Sequence, residues 1–296
     1  MKFKGYALGL LSSISYGLIP LFIIPVKQAN FSLDTTLFYR FLFSALIVGT
    51  YLFIRKQSIK ICIKQIPVLI ILGLLYAISA ETLFLAYDYL TPGIASTLLF
   101  IYPLIVAIIM AIFFKEKITN SVIIAIGFVL AGVLLLSFKN GEFNLNPVGL
   151  GIVLISALSY GLYIITVNKS NVKELKGFTL SFYSFLFTTC YYAVKMIINK
   201  DPFLLPSNSL VFNFFTFAFV TTVVSSIALI YAIKYIGSTP TSILGAFEPV
   251  VAVAVSVILF GEDFTLSLAL GILFIIVGVT LNIIGDAYLE KKKLKT

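Results

Sequence analysis

Ten stretches of this chain, each about 20 residues long and almost wholly apolar, limit what it can fold into. They run over 5–25, 33–54, 67–88, 93–114, 119–137, 147–168, 177–197, 210–232, 239–260 and 265–285. An α-helix of that length spans the ~30 Å hydrocarbon layer of a bilayer. A porin-like barrel would instead show segments of about 10 residues with alternating polarity. Runs such as VIIAIGFVLAGVLLLSF do not alternate. Only 11% of the residues are charged, against about 25% in a soluble domain, so polar side chains could not cover a globule of this size. The expectation is an all-α integral membrane protein of ten transmembrane helices, spans one to ten.

The net charge of +9 does not point to nucleic acid, because it is unevenly placed. With a cytoplasmic N-terminus, 16 of the 21 Lys and Arg fall on the inner side, leaving Lys27, Arg40, Lys139, Lys195 and Lys200 elsewhere. The positive-inside rule then puts both termini in the cytoplasm and the chain in the cytoplasmic (inner) membrane. The basic tail, 289–296, reads as an orientation signal and a contact for anionic lipid. The Lys-flanked first run is too long for a signal-peptide core, and no A-x-A site follows it. Cys62 and Cys190 lie at different levels and make no disulfide framework.

The chain is written twice. LSSISYGL at 11–18 recurs as ISALSYGL at 155–162, an offset of 144 that pairs Ser12 with Ser156, Tyr16 with Tyr160 and Gly17 with Gly161. Later the offset is 146, pairing Ala86 with Ala232, Pro103 with Pro249, Glu116 with Glu262 and Gly132 with Gly278. Each half, 1–140 and 147–288, holds five spans. Five is odd, so the halves enter the membrane in opposite orientations. In transporters built this way the substrate site lies near the midplane between the halves.

Glu81 in span three and Glu248 in span nine stand deep in apolar sequence. A carboxylate there costs roughly 2.5–3.5 kcal/mol on insertion scales, so it faces a partner or a wet cavity. Arg40 enters span two about as far from the outer boundary as Glu81 does span three, about 10 Å down at 1.5 Å per residue. Two readings stand for this pair: an ion pair locking spans two and three, or a binding or gating charge. Glu248 has no basic residue in its own span, which makes it a candidate for proton coupling. The competing role is structural, capping groups freed by Pro249. Pro103 and Pro249 remove helical donors at equivalent positions and are candidate hinges. Pro20 and Pro25 shape the exit of span one. Ser13 and Gly17, repeated as Ala157 and Gly161, are small-residue pairs suited to close helix packing.

Tyr16, Tyr76, Tyr102, Tyr160 and Tyr163 lie deep enough for their hydroxyls to need partners. A cavity walled by Tyr16, Tyr102, Tyr160 and Tyr163 with one or two carboxylates suits an amine or amino acid. Glu116 and Glu262 precede Thr119 and Thr265, a pattern of helix caps rather than of a site. The chain has no His, no Walker loop and no Cys cluster, so no metal, cofactor or catalytic constellation is visible.

GAFEPVVAVAVSVILFGEDFTLSLALGILFIIVGVTL and its first-half counterpart IASTLLFIYPLIVAIIMAIFFKEKIT resemble the drug/metabolite transporter superfamily, in particular its EamA branch. The resemblance covers essentially the whole chain. It implies a secondary transporter for a small amphipathic metabolite such as an amino acid or amine, often moved outward, with spans one, three, four, six, eight and nine lining the path. Glu-Pro is common at the position of Glu248 in that branch whatever the substrate, which implies a shared mechanism rather than substrate choice. The alternative from another class is a lipid-handling flippase. Small-molecule substrate, membrane lipid and protons are the partners so implied.

Overall fold

A computed structural model of the chain describes residues 2–19, 21–22, 31–86, 88–90, 95, 98–137, 146–201, 208–260 and 264–293. Pro20, Pro25, Lys27, Lys139 and Glu262 lie outside the described residues, which are helical apart from turns and short connections.

The first half contributes α1 (Lys2–Gly17), α2 (Leu33–Ile54), α3 (Ile66–Ala86), α4 (Tyr102–Phe114) and α5 (Asn120–Ser137). The second contributes α6 (Pro147–Lys169), α7 (Gly177–Asn199), then a rod made of α8 (Asn208–Phe217), a π-helical stretch (Ala218–Val224) and α9 (Ser225–Ile236). It ends with α10 (Ser238–Leu244), α11 (Phe247–Phe260) and α12 (Leu266–Lys293). Local signals set several of these ends. Ser32 caps α2 by accepting from the Thr35 N–H. Asn146 caps α6 by accepting from Val148 and Gly149, with Pro147 in the first turn, where its missing donor costs nothing. The Thr119 hydroxyl accepts from Val122 N at 3.3 Å, as the capping pattern predicts.

Apolarity and length alone qualify four described helices to cross a membrane: Leu33–Ile54, Ile63–Ala86, Pro147–Lys169 and Leu210–Ile236. Large apolar side chains such as Phe3, Phe53, Ile112 and Phe113 point outward, which suits lipid rather than water as the surrounding medium.

Packing does not follow chain order. α1 lies along α9 and α11, α3 along α6 and α7, α2 along α7 and the π stretch, α4 along α6, and α5 along α12. Between helices, Ser12 and Ser225 hydroxyls meet at 3.2 Å, Ser79 and Ser156 hydroxyls at 3.3 Å, and Thr188 donates to Gly73 O at 2.9 Å. Small polar side chains of this kind let helices hydrogen-bond where no water competes.

Spans four and nine are broken. Span nine is interrupted at Gly245–Ala246, between α10 and α11. In span four, α4 begins only at Tyr102, after a turn at Phe100–Ile101. Pro103 and Pro249 therefore sit in the first turns of new helices and do not kink the middle of continuous ones. The physical reason is the missing N–H: the first turn is where a helix tolerates its loss. The carbonyl of Gly245, four residues before Pro249, is not orphaned, because it accepts from Glu248 N at 2.9 Å.

Candidate functional site

The site is built where α1 crosses the break in span nine. Gly17 packs so closely on α11 that a β-carbon there would come within 2.7 Å of the Glu248 carbonyl oxygen. One turn earlier, the Ser13 hydroxyl donates to Leu244 O at 2.9 Å. The small residues of span one thus bring its backbone against both sides of the broken helix. Glu248 occupies the first turn of α11, where the helix dipole favours a negative charge, and its side chain is buried.

Four tyrosines stand within electrostatic reach of Glu248: Tyr16, Tyr76, Tyr102 and Tyr160. Tyr102 and Tyr160 meet edge to face at 4.9 Å. The Tyr102 hydroxyl fills the space that a side chain on residue 245 would take, 1.5 Å from where a β-carbon of Gly245 would stand. Tyr76 shares a 2.9 Å hydrogen bond with Ser226, and its ring lies 5.2 Å from that of Tyr163.

Arg40 lies fully buried on the other side of Tyr16. Its guanidinium carbon is 5.5 Å from the Tyr16 ring centroid, 5.5 Å from that of Phe41 and 4.9 Å from that of Phe217. Its Nε donates to the Thr222 hydroxyl in the π stretch at 2.8 Å. Nη1 and Nη2 are buried without a hydrogen-bond partner. Tyr16 stands close, yet accepts from neither Nη in hydrogen-bond geometry.

The expected Arg40–Glu81 ion pair is not formed. Among the described residues Glu81 pairs with Lys195, Oε1 to Nζ at 2.6 Å, and accepts from the Tyr191 hydroxyl at 2.9 Å. Lys195 also bridges to Asp34 at 2.8 Å, and Asn199 donates to the other Asp34 oxygen at 3.1 Å. The reason is packing: α3 runs along α7 and only grazes α2, so a charge on α3 meets span seven. Tyr16, Tyr102, Tyr160, Arg40 and Glu248 are brought together, Tyr163 joins through Tyr76, and Glu81 is held apart in a clamp between α2, α3 and α7. Tyr76, Thr222 and Ser226 complete the core. Lys195 and Asp34 were missed as partners of Glu81. The signal for Lys195 was a lone lysine inside an apolar span, which needs a carboxylate as much as Glu81 needs a cation.

The sequence profile of the EamA-like transporter family matches the chain twice, over residues 3–138 and 147–284. An uncharacterized transporter of Clostridium kluyveri is 24% identical over 239 residues, 77% of this chain and 76% of its own length. The uncharacterized transporter YdfC of Bacillus subtilis is 25% identical over 71% of this chain and 68% of its own length. A crystal structure superposes with a TM-score of 0.81 over 99% of both chains at 16% identity, a likeness of fold. With the family matched in both halves, the chain belongs to the EamA-like transporter family of transmembrane transporters.

Proposed function

We propose that this chain is a secondary transporter that moves a small amphipathic metabolite, an amino acid or amine, outward across the cytoplasmic membrane by alternating access. Its halves, 1–140 and 147–288, are inverted five-helix repeats with both termini and the basic tail 289–296 in the cytoplasm. They rock about the tyrosine-lined core at Glu248. Pro103 and Pro249 mark the hinges of the broken spans. Tyr16, Tyr102 and Tyr160 form the walls, with Tyr163 behind Tyr76. Glu81, neutralised by Lys195, serves as an outer clamp on spans two, three and seven.

The exchange of contacts between the halves supports this reading. Ser12 and Ser156 are 144 residues apart, and Ser79 and Ser225 are 146 apart. The Ser12–Ser225 bond therefore maps onto the Ser156–Ser79 bond. Likewise Gly17 faces the carbonyl of Glu248, and Gly161 faces that of Tyr102, the residue equivalent to Glu248, with 3.8 Å to a built β-carbon. The observation that carries the functional reading is Glu248 itself. It is a buried carboxyl at a helix break, ringed by tyrosines, with no ion-pair partner among the described residues. Discontinuous helices meeting polar groups midway along their spans are how such transporters build substrate and ion sites.

Uptake of radiolabelled amino acids and amines into vesicles reconstituted with the protein tests the reading. A pH gradient of either sign is expected to change the rate, and Glu248→Gln to abolish that response. Uptake indifferent to the gradient and unchanged in Glu248→Gln and Glu81→Gln rejects proton coupling and leaves facilitated diffusion. No uptake beyond protein-free vesicles for any solute rejects the transporter as drawn.

A further inference from the structure

Arg40 has no role in the reading above, yet it is the largest fully buried side chain of the molecule. A guanidinium carries five N–H donors in a planar fork. Here one, on Nε, is used by Thr222, and the donors of both Nη atoms are buried and unspent. Three aromatic rings hold the cation without satisfying those donors. Buried donors left without partners, on a charged group above all, cost free energy that folding rarely tolerates without a use.

The nearest buried anion is not placed to satisfy them. Glu248 lies across α1 from Arg40: the guanidinium packs on the Tyr16 ring, and the next residue, Gly17, packs on the Glu248 carbonyl. One core thus holds a fixed positive end and a fixed negative end, separated by the wall residue Tyr16 and joined by no ion pair among the described residues. A simple amine would answer Glu248 and leave Arg40 unmatched. A simple carboxylate would do the reverse. Only a ligand carrying both charges matches both ends at once.

We propose that Arg40 and Glu248 are the two poles of a site for a zwitterion, the carboxylate of an α-amino acid taken bidentately by Arg40 Nη1 and Nη2 and its ammonium taken by Glu248. Paired N–H donors matched to two carboxylate oxygens are the strongest form of that contact, and lysine cannot reproduce it. Tyr102 and Tyr160 then face the ligand's side chain, which favours apolar and aromatic residues. This inference rests on the transporter reading and narrows its substrate to zwitterions.

Binding to the purified wild-type protein by isothermal titration calorimetry decides it without any variant. The probes are L-leucine, L-methionine and L-phenylalanine, each with its decarboxylated amine and its deaminated acid. At least one amino acid is expected to bind at least tenfold more tightly than both of its partners. In Arg40→Lys that amino acid weakens at least tenfold while its amine is little changed. In Glu248→Gln the amino acid weakens similarly while its acid is little changed. An amine that binds as tightly as its amino acid overturns the zwitterion site. Glu248-dependent vesicle uptake of that amine would leave the transporter reading standing. Failure of every amino acid to bind also overturns the site, and vesicle uptake of the same panel separately decides whether transport falls with it.

Discussion

At Gly245 the core tolerates no side chain, because the Tyr102 hydroxyl already fills the space 1.5 Å from a built β-carbon. Gly245→Ala must push Tyr102 away from Glu248 or shift the break in span nine. Overpacking of this kind costs typically about 1–3 kcal/mol. Thermal unfolding of the detergent-solubilised protein is expected to fall accordingly. Tyr102→Phe, which deletes the clashing oxygen, should recover part of the loss in the double variant. Independent, additive losses would mean that the two residues do not touch. The prominence of Glu248 in the sequence was a sound guide, since nothing else in its span could neutralise it. That of Glu81 was half the story. Sequence fixes the depth of a charge along its own helix but not which helix lies opposite, so Lys195 was out of view. Arg40 was singled out for a pairing it does not make. Its unspent donors depend on how Phe41, Phe217 and Tyr16 close around it, which no spacing in the chain records.

Among elements, the helical spans could be read directly because a hydrocarbon solvent leaves helices as the form that satisfies their backbone groups. The expected span 33–54 coincides with α2 (Leu33–Ile54), and most other ends agree within a few residues. The breaks were harder to read. Proline announced an interruption in spans four and nine, but a helix tolerates proline in its first turn, so each interruption falls just before the proline. That placement makes a prediction. Proline in a helix interior costs about 3 kcal/mol, but Pro249 is in a first turn. Pro249→Ala should change stability by less than about 1 kcal/mol in the same unfolding assay, while slowing vesicle uptake if the break is a moving part. A gain near 3 kcal/mol would mean that the proline kinks a continuous helix after all. The π-helical stretch Ala218–Val224 had no signal in the sequence. Its extra residue per turn places Thr222 against Arg40 Nε, a relation visible only once α2 and the stretch are packed together.

For the whole molecule, the duplication was legible in the offsets of 144 and 146, and the family profile matches the same two halves. Their opposed orientation follows from the odd number of spans in each half. It also makes the Ser12–Ser225 and Ser79–Ser156 bonds images of one another. An inverted repeat has one consequence that no parallel repeat shares: equivalent loops lie on opposite sides of the membrane. The loop holding Cys62 is equivalent, at an offset of 144, to the loop that follows α7 and begins at Lys200. Both Cys62 and Lys200 are exposed. In a Cys190→Ser background, a membrane-impermeant maleimide applied to intact cells should label Lys200→Cys, with Cys62 replaced by Ser, and should leave Cys62 unlabelled until the membrane is opened. Labelling of both positions from the outside, or of neither, would contradict the inverted architecture and the site placed between its halves.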